Sequence, residues 1–536
     1  MQRAEYKWLE AEIKRNLGGG WGMSVKSLFS STPIHWRVTT LGELAEASGG
    51  GIQTGPFGSQ LHAADYVDDG IPAIMPKNIS VDSILTDDIA RVSPEDIERL
   101  AKYKVQVGDI VYSRRGDIEK CARITPKENG WLCGTGCLRV RVISRDVSPE
   151  YLHAYLCHPL VREWIVRHAI GATMPNLNTS ILSALPVVIP SRPEMKVIAS
   201  LWRVISDKIQ LNHQINQTLE QMAQAIFKSW FVDFEPVKAK MEAKKRWYAL
   251  QPGNEPASPV CYAGEPQPLP DLETYMNLAA MQAISGKNPE QLARMEREQP
   301  DQYAQLRATA ELFPSAMQDS ELGEIPEGWE ALPLSDTVEL IGGGTPKKSE
   351  PSYWNGDICW FSVKDAPCEG NVFVIDTVDK ITDAGLKGSS TKLLPVGTTI
   401  ITARGTVGKL ALTGVVTAMN QSCYGVVGSD GSGPYLNYLR LHRAVDTLKR
   451  NTHGAVFDTI TRATFETVIQ AQASLELRQR FDAVVGPMFE AIKSNLHQTR
   501  TLTSLRDTLL PKLLSGELTL PGTEEPQTES QDAAHG

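Results

Sequence analysis

Two stretches of about 190 residues repeat one plan, at an offset that drifts from 293 to 283 residues. Segment 36–41 matches 329–334. Tyr66, Gly70-Ile71 and Lys77-Asn78 match Tyr353, Asp357-Ile358 and Lys364-Asp365. Val107-Gly108 and Arg115-Gly116 match Val396-Gly397 and Arg404-Gly405, and Gly171-Ala172 matches Gly454-Ala455. Each copy runs into a long heptad-like segment. A duplication of this length constrains the fold more than any bulk property, because one supersecondary plan must close on itself twice. One globule made twice, each on a helical arm, reads as a ruler with a reader at either end.

With 536 residues the chain has room for three or four domains. No apolar run approaches the ~18 residues of a membrane span. The first 22 residues are polar and lack the apolar core of a secretion signal, and Met23 is a second candidate start. Eight cysteines are scattered. Only Cys133 and Cys137 are close, and no His or Cys spacing completes a zinc site, so reduced thiols in a cytoplasmic protein are expected. The net charge of −9 conceals a division. Residues 251–330 hold 14 acidic and 4 basic side chains, and 521–536 add −4. The remainder is weakly basic, at +5, which suits a polyanion partner without requiring one.

Residues 36–190 read as a strand-rich globule. Segments 105–113 and 138–142 read as strands, 150–170 as a helix and 185–190 as the exit strand, with Gly49 to Gly51, Gly55 and Gly58 marking a tight loop. From 194 to 234 the period becomes 3.5, with Ile198, Leu201, Ile205, Ile215, Leu219, Met222 and Ile226 on a and d positions. Lys208 takes a d position and Asn212 an a position. A helix over this span would be roughly 60 Å long at ~1.5 Å per residue. The six prolines of 251–270 start a linker, and 271–312 reads as helical with a break near Gly286 to Pro289, a solvated spacer or strap. Residues 330–470 repeat the globule and 475–514 the helix, with a seam of Val484, Met488, Asn495, Leu502, Leu505 and Leu509. At an offset of 283, Asn212 falls on Asn495. A buried Asn at an a position fixes register at some cost in stability, so the two helices are expected to pair, with Asn212 and Asn495 as the register lock. Pro487 is expected to kink the second helix or begin its regular part.

The chain carries no Gly-x-x-x-x-Gly-Lys-Ser/Thr loop, no His-Glu-x-x-His, no Gly-x-Ser-x-Gly, no Asn/Asp-Pro-Pro-aromatic tetrapeptide and no Gly-x-Gly-x-x-Gly after a strand. These absences favour a binding module over an enzyme, with no catalytic and no metal-ligating residue expected. The polar residues that recur at matched loop-like places are of the types that reach base edges and phosphates. In the first copy they are Gln53, Thr54, Lys77, Asn78, Arg114, Arg115, Asn176 and Asn178. In the second they are Thr345, Lys347, Lys348, Lys364, Arg404, Thr406, Asn420, Gln421, Thr459, Thr461 and Arg462. The competing reading is that Arg115 and Arg404 cap turns by donating to carbonyls.

These residues carry a resemblance. Ile341-Gly-Gly-Gly-Thr-Pro with Tyr353-Trp-Asn-Gly-Asp-Ile, Arg404-Gly-Thr-Val-Gly-Lys, Asn420-Gln-Ser-Cys, Ile226-Phe-Lys-Ser-Trp-Phe-Val-Asp-Phe-Glu-Pro and Leu509-Leu-Pro-Lys-Leu-Leu-Ser-Gly resemble, in order, segments of the specificity (S) subunit of Type I restriction-modification systems. The resemblance spans about 36–518. It implies an α+β fold with a pseudo-two-fold internal repeat. Two mixed α/β target recognition domains are each followed by a long helix, and the helices pair as an antiparallel coiled coil that sets the gap between half-sites. The expected boundaries are an N-terminal extension 1–35, first recognition domain 36–190, first spacer helix 191–250, acidic linker with helical insert 251–328, second recognition domain 329–470, second spacer helix 471–518 and disordered acidic tail 519–536. It also implies double-stranded DNA and two methyltransferase (M) subunits as partners, with restriction (R) subunits added. No cofactor belongs to this chain: S-adenosylmethionine would sit on the M subunit, and ATP and Mg on the R subunit. Gly134-Thr-Gly-Cys stands where the second copy has Asn420-Gln-Ser-Cys, and Met174-Pro-Asn where it has Phe457-Asp-Thr, so the halves are expected to read different sequences. A self-contained methyltransferase or nuclease with duplicated readers, and an assembly protein whose globules bind proteins, are the alternatives.

Overall fold

The computed structural model describes Leu28 and residues 32–518, except 81–82, 87, 172–174, 252–268, 369 and 452–458. The start site, nearly all of the proline-rich linker, the acidic tail and the matches at Ala172, Met174, Gly454-Ala455 and Phe457 lie outside the described residues. The chain forms two compact units, one of residues 1–210 with 500–536 and the other of 211–499.

In the first unit, strands Gly51–Thr54, Cys137–Arg141, Ile110–Ser113 and Cys121–Arg123 form a four-stranded antiparallel sheet in that order. All four residues of Ile110–Ser113 are buried, as in a strand covered on both faces. A second sheet orders Tyr66–Val67, Ala90–Val92, Ile71–Ile74 and Leu132–Cys133, its last pair parallel. The ladder Arg37–Thr40 with Pro186–Ile189 closes the globule where its chain enters and leaves.

The second unit repeats this plan. Its five-stranded sheet orders Val338–Gly342, Cys423–Gly428, Thr399–Thr402, Leu410–Thr413 and Phe373–Val374. Lys380–Ile381, Trp354–Phe361 and Thr417–Met419 form the accompanying sheet, again with one parallel pair. Glu330–Pro333 with Ile469–Gln472 closes it. The fold class and the internal repeat are as the sequence indicated.

Local boundaries depart from expectation for identifiable reasons. The strand expected over 105–113 pairs only from Ile110, because Gly108 at φ 91° turns the chain first. Its counterpart Gly397, at φ 90°, does the same before Thr399. The single helix expected over 150–170 is two, Pro149–Leu156 and Pro159–His168, because Pro159 cannot continue the first. The first long helix is Arg192–Phe231 and not 194–234. Phe234 turns left-handed at φ 54°, and Pro236 opens a separate helix, Glu235–Ala249. The second, Leu475–Leu514, runs through Pro487 without a break. The hydrogen bond lost there belongs to the Ala483 carbonyl, and both residues are exposed, so water can take its place.

The insert is not a solvated strap. It forms three helices, Leu272–Ser285, Pro289–Glu298 and Pro300–Glu311, around Ala280, Met281, Leu292 and Ala310. Lys240 Nζ donates to the Phe313 carbonyl (2.6 Å), and Arg480 on the second long helix donates to Thr309 and to the Gln305 carbonyl.

Within the second unit Asn212 meets Gln498 and Thr499, while Phe227, Trp230 and Phe231 surround Phe481, so the two long helices run antiparallel. The buried stripe is rotated from the expected seam. Ile215, Met222 and Leu505 are exposed, and the buried positions are Asn212, Asn216, Ala223, Phe227 and Trp230, with Phe481, Val485, Phe489, Ile492 and Leu496 opposite. The cause is that each helix also covers its globule: Phe489 packs on Phe373 and stacks on Tyr435 at 4.5 Å.

Candidate nucleic-acid interface

In each unit the recurring polar residues gather at one end of the central sheet. In the first, Thr54, Arg114 and the Gly134 to Gly136 turn adjoin at the strand ends, since Thr54 pairs with Leu138 and Ser113 with Cys137. Arg115 forms an isolated bridge with Asn176. In the second, Gly342 pairs with Tyr424 and Thr402 with Cys423, which brings the loops of Thr345, Arg404 and Gln421 together. Arg404 forms the equivalent bridge with Thr459. Thr345 donates to the Gln421 side chain across this end.

Arg115 and Arg404 share one local design. Each follows a buried strand that leaves its side chain at the rim, and each precedes a glycine with positive φ, 75° at Gly116 and 76° at Gly405. A residue with a Cβ would be strained there, and the glycine turns the chain back so that the arginine stays at the apex. Both side chains are exposed, and among the described residues neither guanidinium makes a hydrogen bond or an ion pair. Among the described residues the turn-capping alternative finds no carbonyl for either side chain. Lys347 and Lys348 are likewise exposed. Lys77 pairs with Asp88 (2.5 Å) and Lys364 lies 3.6 Å from Asp379, solvent-facing pairs that a phosphate could replace at little cost. The Lys77 ammonium holds the Asp88 carboxyl below its ordinary range.

Other expected contacts are committed internally, and these are corrections. Asn78 is buried, its amide spanning a turn by accepting from Met75 N and donating to the Leu85 carbonyl. Gln53 accepts from Arg139, itself anchored on the Lys102 and Lys104 carbonyls. Asn178 caps the helix Thr179–Ala184 through Ile181 N (2.8 Å). Arg114 donates to Asn176 (3.2 Å), and Arg462 to the Leu340 carbonyl (2.9 Å). Thr461 precedes Arg462–Glu466 and bonds Thr464. Asn420 braces its own turn by accepting from Ser422 N, and the exposed Thr406 lends its carbonyl to Thr402. These bonds hold the rim in shape, with Thr406, Thr461 and Arg462 still exposed on it.

Two residues at the rim escaped the sequence reading. Phe57, in the loop after Gly51–Thr54, is 59% exposed. Lys392 is exposed beside Thr391, whose hydroxyl donates to the Met419 carbonyl and so ties it to the Asn420 turn. Neither has a counterpart in the other copy, and matched position was the only signal used.

The family model for the Type I restriction modification DNA specificity domain matches residues 33–221 and again 326–469. The Type I restriction enzyme HindI specificity subunit of Haemophilus influenzae is 31% identical over 435 residues, 79% of this chain and 89% of that one. The MjaIX specificity subunit of Methanocaldococcus jannaschii is 26% identical over 189 residues, 35% of this chain and 44% of its own. Among solved structures, a Type-I restriction-modification system S subunit from M. genitalium aligns over 91% of this chain and 98% of its own, at 12% identity and a TM-score of 0.43. Among the described residues no helix is long and apolar enough to cross a membrane.

Proposed function

The chain belongs to the Type I restriction-modification DNA specificity family, and from that premise we propose that its two sheet rims each read one half of a bipartite DNA target. The observation that carries this reading is the pair of matched arginines, Arg115 and Arg404, exposed and without partners among the described residues, at the same apex of two diverged copies. A long cation held at the end of a rigid strand suits a bidentate contact to a guanine edge. Lys77, Lys347, Lys348 and Lys364 would supply phosphate contacts that fix orientation without reading sequence.

On this reading the chain is a non-catalytic cytoplasmic scaffold. Two M subunits would dock on it and bring S-adenosylmethionine, and R subunits would bring ATP and Mg. The chain's own part is to hold both rims against the duplex. The test is binding by the chain assembled with its partner methyltransferase, on duplexes carrying the target mapped by genome-wide methylation with and without this gene. Alteration of either half-site should weaken binding by about 1–3 kcal/mol per base pair. Affinity that ignores both half-sites, or that does not fall with salt, would overturn the reading.

A further inference from the structure

Cys121, His153 and Cys157 converge in the core of the first unit, away from the rim. Cys121 opens the strand Cys121–Arg123. His153 and Cys157 lie four residues apart, on the helix Pro149–Leu156 and at its C-cap. The two sulfurs are 3.7 Å apart, and Cys157 Sγ is 3.5 Å from His153 Nε2. All three donor atoms lie within 4.8 Å of one another, and all three residues are buried. Zinc bonds of about 2.3 Å to sulfur and 2.0–2.1 Å to nitrogen, at tetrahedral angles, require edges of about 3.8 Å between sulfurs and about 3.6 Å from sulfur to nitrogen. The sulfur–sulfur edge of 3.7 Å and the Cys157–His153 edge of 3.5 Å fit these values, and the remaining Cys121–His153 edge lies within 4.8 Å.

A second observation points the same way. Tyr112 sits opposite Cys121 in the strand ladder and is fully buried, so its hydroxyl is an oxygen donor on the Cys121 side of the cluster. A divalent ion with two thiolates and a neutral imidazole is formally uncharged, which suits an apolar core.

The duplication supplies an internal control. Ile401 pairs with Leu410 in the second copy as Tyr112 pairs with Cys121 in the first. Counting from Pro434, the counterpart of Pro149, Tyr438 stands for His153 and His442 for Cys157. Tyr438 is occupied by Glu220, to which its hydroxyl donates at 2.9 Å. The donor set is present in one copy only, so the shared fold does not require it.

We propose that Cys121, His153 and Cys157 form a structural zinc site in the first recognition domain, with the Tyr112 oxygen at the fourth position. The site would join the central sheet to the helix Pro149–Leu156. Trp202, packed edge-on against the His153 ring at 5.8 Å, would carry that rigidity to the root of the first long helix.

The full chain, produced in zinc-supplemented medium and purified without chelator, should hold about one zinc per chain by elemental analysis. Cys121→Ser with Cys157→Ser should reduce this to below about one tenth. Cys133→Ser with Cys137→Ser should leave it unchanged. Cobalt in place of zinc should give intense thiolate charge-transfer absorption in the near ultraviolet and tetrahedral bands in the visible, measured on the wild-type chain and so independent of whether the serine variants fold. Wild-type chain without bound zinc, zinc retained by the Cys121/Cys157 variant, a cobalt form without charge transfer, or a Cys121–Cys157 disulfide in metal-free protein would each overturn the proposal.

Discussion

Whether a polar side chain reads DNA or holds its own loop is decided by where its hydrogen bonds end, and Arg404 and Asn78 are the two extremes. Arg404 has no partner among the described residues, so Arg404→Ala should leave thermal stability within about 0.5 kcal/mol while binding falls by about 1–3 kcal/mol and one base position relaxes. Arg115→Ala should do the same at the other half-site. Competition binding against single-base variants of the target separates the two, and lowered stability with unchanged affinity would restore the turn-capping role. Lys347→Ala should instead weaken all sequences alike and reduce the salt slope by about one. Asn78 was indistinguishable from Lys77 in the sequence, because nothing local announces that its amide spans the turn from Met75 to Leu85. A different residue carries stability in the second unit. The Asp430 carboxylate accepts from Arg440 (2.9 Å) and Gln472 and forms an ion pair with Arg478 (2.6 Å). Burial pushes its carboxyl up, but the Arg440 hydrogen bond and charge, with help from Gln472, outweigh this and hold it well below the carboxylate range. Asp430→Asn strands two buried guanidiniums and should cost about 3–5 kcal/mol in denaturant unfolding. Because the folded pKa is depressed, the contribution of Asp430 is complete above the unfolded value of ~3.9 and is lost as pH falls through the folded one. Wild type and Asp430→Asn should therefore converge in stability only in strong acid.

At the scale of elements, period and punctuation were legible and facing was not. The heptad spacing revealed both long helices, because an apolar period of 3.5 kept up over a helix-length run has few alternatives, even with Pro487 inside the second. It misplaced the buried stripe, since a helix that packs on a sheet-bearing globule as well as on a partner buries more than two positions per heptad. Prolines ended helices where they stood at Pro159 and Pro236 but not at Pro487, a difference set by which face lost its hydrogen bond. The polar layer between the helices shows the same limit. Asn212 and Asn495 do meet, but their side chains do not bond each other. Asn212 Nδ2 donates to Gln498 (2.9 Å), to Thr499 and more distantly to the Asn495 carbonyl, while Asn495 Nδ2 donates to Asn216 Oδ1 (2.9 Å). Asn212 Oδ1 and Asn216 Nδ2 are buried without partners. The expected symmetric lock is thus an offset pair of bonds, and the expected consequences change with it. Asn212→Leu removes a half-satisfied amide and leaves only the exposed Gln498 and half-buried Thr499 to turn to water, so it should be close to neutral. Asn495→Leu leaves Asn216 buried with no partner for its carbonyl oxygen and should cost about 1–3 kcal/mol. Asn216→Leu with Asn495→Leu should recover most of that loss. Equal penalties for Asn212→Leu and Asn495→Leu in urea unfolding would restore the symmetric lock.

For the whole molecule, duplication was the property most legible in the sequence, and it carries the strongest expectation about function. The two copies keep the same closing ladder, the same central sheet and the same arginine-glycine apex. They differ in what surrounds the apex. The first has glycine at 134 and 136 and the exposed Phe57, where the second has Asn420, the Gln421 to Thr345 bond and Lys392. A rim built on one scaffold with different neighbours presents a different pattern of donors and apolar surface to a groove, and base discrimination follows that pattern. Each closing ladder also returns its chain to the point of entry, so a copy can be exchanged at its own ladder without breaking a sheet: Arg37 pairs with Ile189, and Glu330 with Gln472. Replacing 36–190 by the first recognition domain of another family member should therefore change one half-site and leave the other as it was. Replacing 329–470 should do the converse. Assembled with the partner methyltransferase, each chimaera should methylate a hybrid target that joins one old and one new half-site. On the proposed reading, in which the reaction would belong to the partner, the isolated chain should transfer no methyl group and cleave no DNA. Methylation mapping of cells carrying each chimaera reads both half-sites at once. If either exchange altered both halves together, the two rims would be acting as one reader. If highly purified chain turned over S-adenosylmethionine, the scaffold reading would fail whatever the outcome of the exchange.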